Sequence, residues 1–372
     1  MLKLESISKK FPNFELQNIN LNIEEGEYFV LLGKSGSGKS LILELISGLQ
    51  VPDKGDIKIH DNSILRKNIQ RRNIGLVFQN HSLFPHMTVK ANIFFAVKKC
   101  KNRDQFIKNI NNVIDILKIP HLLNRYPATL SLGESQRVAL ARTLVTNPCC
   151  LLLDEPLSSL DTQTKTEIRS LLRKINNGYV YFGEENREKP KTILHVTHDY
   201  EEALALSSRI AVIENGVISQ VGKPSDIFRH PKSQFIAKFI GIKNFYRGCI
   251  KKIDNNTSIF TVYNENDNSS GISDINFYIS TPEYSGDSGC VILRSEDITL
   301  SNRFLDSSAR NEFKGNVIDI EKVKTGVEVT ADIGGALISA LITETSLNKL
   351  EIKLYKEICL SFKAKATHFI GN

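Results

Sequence analysis

Residues 33–40 read GKSGSGKS, and no other stretch limits the possible folds of the chain as tightly. The spacing G-x-x-x-x-G-K-S lies between the apolar run YFVLL and the helical stretch LILELISGL, which specifies a strand, a phosphate-binding loop and a helix in that order. Gly33, Lys34, Ser35, Gly36, Ser37 and Gly38 form the expected cradle. Gly36 and Gly38 let the backbone approach phosphate oxygens with no side chain in the way. The helix start adds free N–H donors and the positive end of a dipole. Lys39 is long enough to reach β- and γ-phosphates, and the Ser40 hydroxyl can ligate Mg²⁺.

A second element completes the chemistry. In CCLLLDEP a buried strand ends in two acids, Asp154 and Glu155. The first is placed to hold a metal through its water shell, the second to polarise an attacking water. Together the two elements predict a nucleotide hydrolase or switch.

Around these elements the chain of 372 residues is long enough for two domains. Residues 1–240 alternate short apolar strands with helical patterns, the texture of an α/β domain. Strands are predicted at 28–32, 74–78, 150–153, 193–197 and 210–213, and helices at 105–118 and 134–145. From residue 244 onward the pattern changes to short alternating runs rich in Val, Ile and Thr, broken by Gly, Asn and Asp, an all-β signal. NFYRGCIKKI is echoed by NEFKGNVIDI, which predicts two related β units, about 244–300 and 308–372. Residues 264–274 are expected to be a loop, and 178–191 a charged surface insertion.

Several function classes are disfavoured. No apolar run approaches the roughly 20 residues of a membrane span, and MLKLESISKKF has no secretory pattern. The expected location is therefore the cytoplasm. The six cysteines form no metal-ligand spacing, so no structural zinc is expected. The net charge of +7 is spread over the chain, and no nucleic-acid partner is expected.

With these elements in place, residues 1–240 resemble the nucleotide-binding domain of ABC transporters, a P-loop (RecA-like) α/β fold with a helical subdomain. Gln79, after NIGLVF, matches the family's glutamine loop, which senses metal and γ-phosphate. LSLGESQR at 130–137 resembles the signature sequence, and SSLD at 158–161, ending in Asp161, matches the loop that communicates across the dimer. His198 in VTHD matches the switch histidine, and Phe11 lies where the family places an aromatic against adenine. The resemblance implies catalytic roles for Glu155, His198 and Lys39, and Mg²⁺ ligation by Ser40, Gln79 and Asp154. It further implies a homodimer that sandwiches two ATP molecules, with Ser131 and Gly133 of one copy facing the phosphate loop of the other. One departure is visible: the family usually has two glycines where this chain has Leu132 and Gly133.

QNHSLFPHMTVKANI and the segment from THDYEEA to KPSDIF resemble importer subunits for sugars, polyamines, sulfate, iron and molybdate. Residues 83–86 lie where such subunits receive a permease. The implied partners are integral membrane permease subunits, and an external substrate-binding protein indirectly. The implied place is the cytoplasmic face of the membrane, held there through the permease. The tail resembles the family's OB-like Mop/TOBE domain, with SSARNEFKGNVIDI, ALISALITETSLNKL and ICLSFKAKATHFI similar to the molybdate-binding Mop module. By that resemblance Ser308, Arg310, Thr343, Ser346 and Lys363 occupy oxyanion positions, suited to regulatory molybdate or tungstate. A tetrahedral dianion is met by short hydroxyl and amide donors with one or two cations. The alternatives are a sulfate, sugar or polyamine importer subunit and, in another class, an oxyanion store or sensor with reduced hydrolysis.

Overall fold

A computed structural model of the chain describes residues 1–95, 103–179, 190–254, 256–263, 272–280 and 288–371. The expected insertion at 178–191 and the loop at 264–274 lie for the most part outside the described residues. The chain divides into two compact units, Met1–Ile227 and Phe228–Asn372.

The first unit begins with β1 (Leu2–Phe11), β2 (Phe14–Ile23), β3 (Tyr28–Leu32) and α1 (Lys39–Ser47). Next come β4 (Lys54–Ile59), β5 (Asn62–Ser63), β6 (Ile74–Val77), α2 (Val89–Phe94), α3 (Arg103–Ile116) and α4 (Leu132–Leu144). It continues through β7 (Cys150–Asp154), α5 (Thr162–Asn176), β8 (Thr192–Thr197), α6 (Tyr200–Leu206), β9 (Arg209–Glu214) and β10 (Val217–Gly222), and the boundary falls within α7 (Pro224–Arg229). One sheet has the order β10-β9-β3-β8-β7-β6, with β10 antiparallel and the other neighbours parallel. A second, antiparallel sheet has the order β2-β1-β4-β5.

The central strands are continuously apolar because both of their faces are covered. Every residue of β3 is buried, and Cys150, Leu151, Leu152 and Leu153 of β7 are fully buried. Each such side chain contributes about 1.5–3 kcal/mol of burial free energy. That packing fixes the parallel order, so the polar residues that follow β3, β7 and β8 emerge along one edge.

In the second unit, α8 (Gln234–Phe239) precedes β11 (Asn244–Lys252), β12 (Thr257–Tyr263), β13 (Ile272–Ser280), β14 (Ser288–Leu293) and β15 (Thr299–Ser301). Then follow β16 (Asn311–Val323), β17 (Gly326–Asp332), β18 (Leu337–Ile342), α9 (Glu344–Lys349), β19 (Glu357–Phe362) and β20 (Thr367–Gly371). Two five-stranded antiparallel sheets result, β13-β12-β11-β14-β20 and β15-β19-β16-β17-β18, consistent with an OB-like domain. The helix α9 is an exception to the all-β expectation. Thr343 caps its start by accepting the Ser346 N–H, which competes with continued extension.

The sequence echo has a structural counterpart. Asn244 and Asn311 open the corresponding strands β11 and β16, and each clamps a backbone on the other sheet. The Asn244 amide exchanges two hydrogen bonds with Ser339, at 2.8 and 2.7 Å, and the Asn311 amide exchanges two with Tyr278, at 2.8 and 2.7 Å. The last strands are exchanged as well: β15 of the first half pairs with β19, and β20 of the second half pairs with β14.

Candidate nucleotide site and oxyanion residues

The loop after β3 has the conformation its glycines allow. Gly36 has φ 79° with open space where a Cβ would lie, and Gly38, with φ 100°, caps α1. A Cβ on Gly38 would meet the Phe14 and Leu16 side chains at 2.7 Å. No side chain caps the start of α1, so its first N–H groups face the loop unclaimed by a carboxylate or hydroxyl. The buried Ser37 Oγ has no hydrogen-bond partner. An orphaned hydroxyl, uncapped amides and an open glycine suit a phosphate chain, so the residues present fit the expected nucleotide.

Lys39 lies across this cradle. Its ammonium donates to the carbonyls of Gly33 and Lys34, both at 2.9 Å, and stands 3.9 Å from Glu155 Oε1. Burial lowers its pKa, while Glu155 and Asp154 oppose that shift. Ser40 donates to Asp154 Oδ1 at 3.0 Å, joining α1 to the end of β7. Burial pushes the Asp154 carboxyl above its ordinary range, and the Ser40 hydroxyl works against this. Among the described residues no group of three or more His, Cys, Asp and Glu could hold a metal by itself. Mg²⁺ commonly takes only one or two carboxylates and relies on substrate phosphates for the rest, which the Ser40–Asp154 pair fits.

Glu155 has φ 44°, uncommon for a residue with a side chain. Its N–H donates to Val196 O at 2.9 Å, and its carbonyl accepts from Ser158 Oγ at 3.1 Å, so the surroundings hold this conformation. The turn directs the carboxylate to His198 Nδ1, 3.0 Å from Oε1. Gln79 follows β6 and donates to Ser158 Oγ at 3.4 Å. Lys39, Ser40, Gln79, Asp154, Glu155, Ser158 and His198 are therefore linked around one edge of the parallel sheet.

Other sequence-predicted residues make their contacts outside that cluster. Ser131 caps α4 in a capping box, accepting the Glu134 N–H while the Glu134 carboxylate accepts the Ser131 N–H at 2.7 Å. A Cβ on Gly133 would meet Thr164 Cγ2 of α5 at 2.6 Å, whereas Leu132 is 54% exposed and points away from the packing. Among the described residues no hydrogen bond or ion pair joins Ser131 or Gly133 to the phosphate loop of the same chain. Asp161 caps α5 through Oδ1, which accepts the Gln163 and Thr164 N–H groups, while Oδ2 accepts the Thr164 hydroxyl, and its bonds to Thr164 hold its pKa below the ordinary range. Phe11 ends β1 opposite Phe14, with the Lys9 ammonium 5.9 Å from its ring centroid.

Sequence reasoning passed over Phe14, whose ring lies against Gly38, and the buried Thr197 and Glu202 with the half-buried Lys165 behind His198. Glu202 carried a usable signal, since Asp199 is a helix-capping residue and places position 202 one turn into α6.

In the tail, the five oxyanion candidates do not meet within one chain. Asn311 pairs with Phe362, so Arg310 and Lys363 flank the first rung of β16 and β19, with Ser308 just before them. Thr343 follows the rung between Val327 and Ile342, near the far end of β16 where Val323 pairs with Gly326. An ion pair of 2.8 Å between Lys322 and Glu344 fastens α9 at that end. The length of β16 separates the two groups by up to about 40 Å along the strand. Thr343 and Ser346 bond to each other at 2.9 Å, and Arg310 donates to Thr257 Oγ1 at 3.0 Å. Lys243 precedes Asn244 as Arg310 precedes Asn311, but it is neutralised by Glu328 at 2.7 Å and Glu321 at 3.0 Å.

Comparison with known proteins adds an independent line. The model of the ABC transporter family matches residues 16–158, and that of the TOBE domain matches 307–369. A molybdate/tungstate import ATP-binding protein of Pyrococcus horikoshii is 40% identical over 369 residues, 99% of this chain and 99% of that protein. A sulfate/thiosulfate import ATP-binding protein of Halalkalibacterium halodurans is 40% identical over 255 residues, 67% of this chain and 69% of its own length. Among solved structures, the ATP-binding cassette MJ0796, in a dimeric post-hydrolysis state bound to ADP and Pi, is 32% identical with a TM-score of 0.51. That match covers 60% of this chain and 99% of the other.

Proposed function

This chain belongs to the ABC transporter family as an ATP-hydrolysing import subunit, and on that premise we propose that its cargo is molybdate or tungstate. The observation that carries this reading is likeness over the whole length, tail included, to a relative named for that cargo. We take residues 1–240 as the ATPase domain and 244–372 as the tail.

In the proposed chemistry Lys39, the uncapped amides of α1 and Ser37 bind the phosphates. Ser40, Gln79 and Asp154 would hold Mg²⁺, which would neutralise charge building up on the phosphate oxygens. Glu155 accepts a proton from the attacking water, and His198 orients that carboxylate and meets the γ-phosphate. Phe11 packs against adenine. Two copies form the working unit, because among the described residues Ser131 and Gly133 are tied to Glu134 and Thr164 and not to their own phosphate loop, and they gain a role in the chemistry by facing a partner's.

The permease docks at residues 83–86. That loop is prepared as a firm surface. The buried Asn92 accepts from the Phe84 N–H and donates to the carbonyls of Phe84, Met87 and Thr88, while Arg142 donates to those of His81 and Ser82. Among the described residues no helix is long and apolar enough to cross a membrane. We place the subunit at the cytoplasmic face through its permease, with an external binding protein engaged only indirectly.

For the tail, Arg310, Lys363 and Ser308 supply one half of an oxyanion site, and Thr343 and Ser346 of a second copy supply the other. Oxyanion held this way restrains the ATPase domains and gives feedback inhibition. Calorimetric titration of the purified protein with molybdate, tungstate and sulfate tests this. Tight binding of the first two, lost in an R310A/K363A variant, is expected. Binding of sulfate alone would transfer the cargo assignment to sulfate. Absence of any binding to a folded dimer would leave the tail without a ligand, and hydrolysis by the assembled transporter unchanged in millimolar oxyanion would overturn the feedback.

A further inference from the structure

The segment carrying His198 is held from behind by a carboxylate that the chemistry above does not use. Glu202, on α6, is 1% exposed. Its Oε2 accepts a hydrogen bond from Thr197 Oγ1 at 2.8 Å, and the same Thr197 oxygen accepts the Asp199 N–H at 3.0 Å. One hydroxyl therefore ties the residues on both sides of His198, and Glu202 fixes that hydroxyl.

A buried carboxylate is costly unless it has a cationic partner. His195 is close, with Nε2 3.7 Å from Glu202 Oε2, but burial drives its pKa down to about 3, so its ring is neutral and its Nδ1 is engaged by the Tyr28 hydroxyl at 3.0 Å. The counter-charge comes from α5. Lys165 Nζ stands 3.5 Å from Glu202 Oε1 and 3.7 Å from Asp199 Oδ2. Burial raises the Glu202 pKa, and the Thr197 hydroxyl, Lys165 and, on the same helix, Arg169 work against that shift. The backbone N–H of Lys165 donates to Asp161 O at 2.9 Å, one turn from the start of α5. A single ionic node thus joins the loop ending at Asp161 to the loop bearing His198.

We propose that Glu202 is a positioning residue for His198, acting through the Thr197 hydroxyl and anchored by Lys165. The role rests on the reading of His198 as the group that meets the γ-phosphate. Displacing Glu202 leaves the phosphate cradle intact but lets the His198 imidazole drift from Glu155, so turnover falls while ATP binding does not.

Steady-state hydrolysis by the full-length protein with Mg²⁺ and ATP tests the assignment, using E202Q, T197V, T197S, the T197V/E202Q double variant and H198A. Misplacement of a reacting group by about 1 Å can cost up to about a hundredfold, so E202Q and T197V are each expected to lower kcat about tenfold or more. Their KM for ATP should stay within about twofold of the parent, the mark of an effect confined to the transition state. T197S, which keeps the hydroxyl, should restore turnover, and the double variant should be no slower than the slower single one. Unchanged kcat in E202Q, or losses that multiply in the double variant, would overturn the proposal. Should E202Q fail to fold, equal rates for T197V and T197S would do the same. Hydrolysis untouched by H198A overturns the underlying reading and this role with it. A silent E202Q beside an inactive H198A overturns this role alone.

Discussion

His198 Nδ1 and Glu155 Oε1 are 3.0 Å apart, and the Lys39 ammonium stands 3.9 Å from the same carboxylate oxygen. The carboxylate we propose as the proton acceptor is thus aimed by an imidazole on one side and lies beside the lysine proposed to bind phosphate on the other. The strained backbone of Glu155, φ 44°, is what turns the carboxylate to this position at the end of β7.

Glu155→Gln keeps the shape of that contact and removes the proposed base. Hydrolysis is expected to fall by about a hundredfold or more, as for loss of a group acting in the transition state. ATP affinity should remain. Phosphate release set beside equilibrium binding of ATP checks this, and equal losses in both would contradict it.

Arg72 gives a stability prediction away from the chemistry. Its buried guanidinium donates to the carbonyls of Leu45 and Ile46 at the end of α1, and to those of Leu65 and Lys67. Removing the donors strands several acceptors, so Arg72→Met should destabilise the first unit by about 2–4 kcal/mol. Urea unfolding should show a lower midpoint at an unchanged slope.

His195 makes stability depend on pH with a definite sign. Its folded pKa of about 3 lies below the ordinary value of 6.5, so below pH 6.5 the unfolded chain binds the extra proton. The contribution is complete above pH 6.5 and is lost as pH falls toward 3, at up to about 1.4 kcal/mol per pH unit. Glu202 and Asp154, whose carboxyls are raised by burial, act in the opposite direction as they protonate. The comparison with His195→Gln isolates the histidine: unfolding free energy from pH 7 to 4.5 should fall less steeply in the variant.

The tail predicts complementation between copies. An R310A/K363A chain and a T343A/S346A chain should each fail to bind tungstate alone, while their mixed dimer regains one intact pair of half-sites. Lys243→Ala should leave tungstate affinity unchanged, because Glu328 and Glu321 already neutralise that lysine. Calorimetry on the four preparations reads all of this, and binding by either double variant alone would contradict the shared site.

Much of the nucleotide edge was legible from local spacing. A strand, a glycine loop and a helix within 20 residues can place Lys39 and Ser40 in only a few ways, and LLLDE places its acids at a strand end. The echo between Asn244 and Asn311 was legible for the same reason, since alike local patterns make alike strands. The turn of Glu155 and the Thr197–Glu202–Lys165 node were not, because they depend on which strand lies beside β7 and which helix packs behind β8.

The sequence by itself determined which residues could carry phosphate chemistry, because that requirement is written in side-chain type and short-range spacing. Tertiary structure alone decided which of them meet. Parallel pairing of β7 with β8 brings His198 to Glu155 across more than 40 positions of chain. The register of β16 carries Arg310 and Thr343 to opposite ends of one strand, although the chain places them in a single short tail. Hydrogen-bond register and burial are summed over whole sheets, so no local run of residues can specify them.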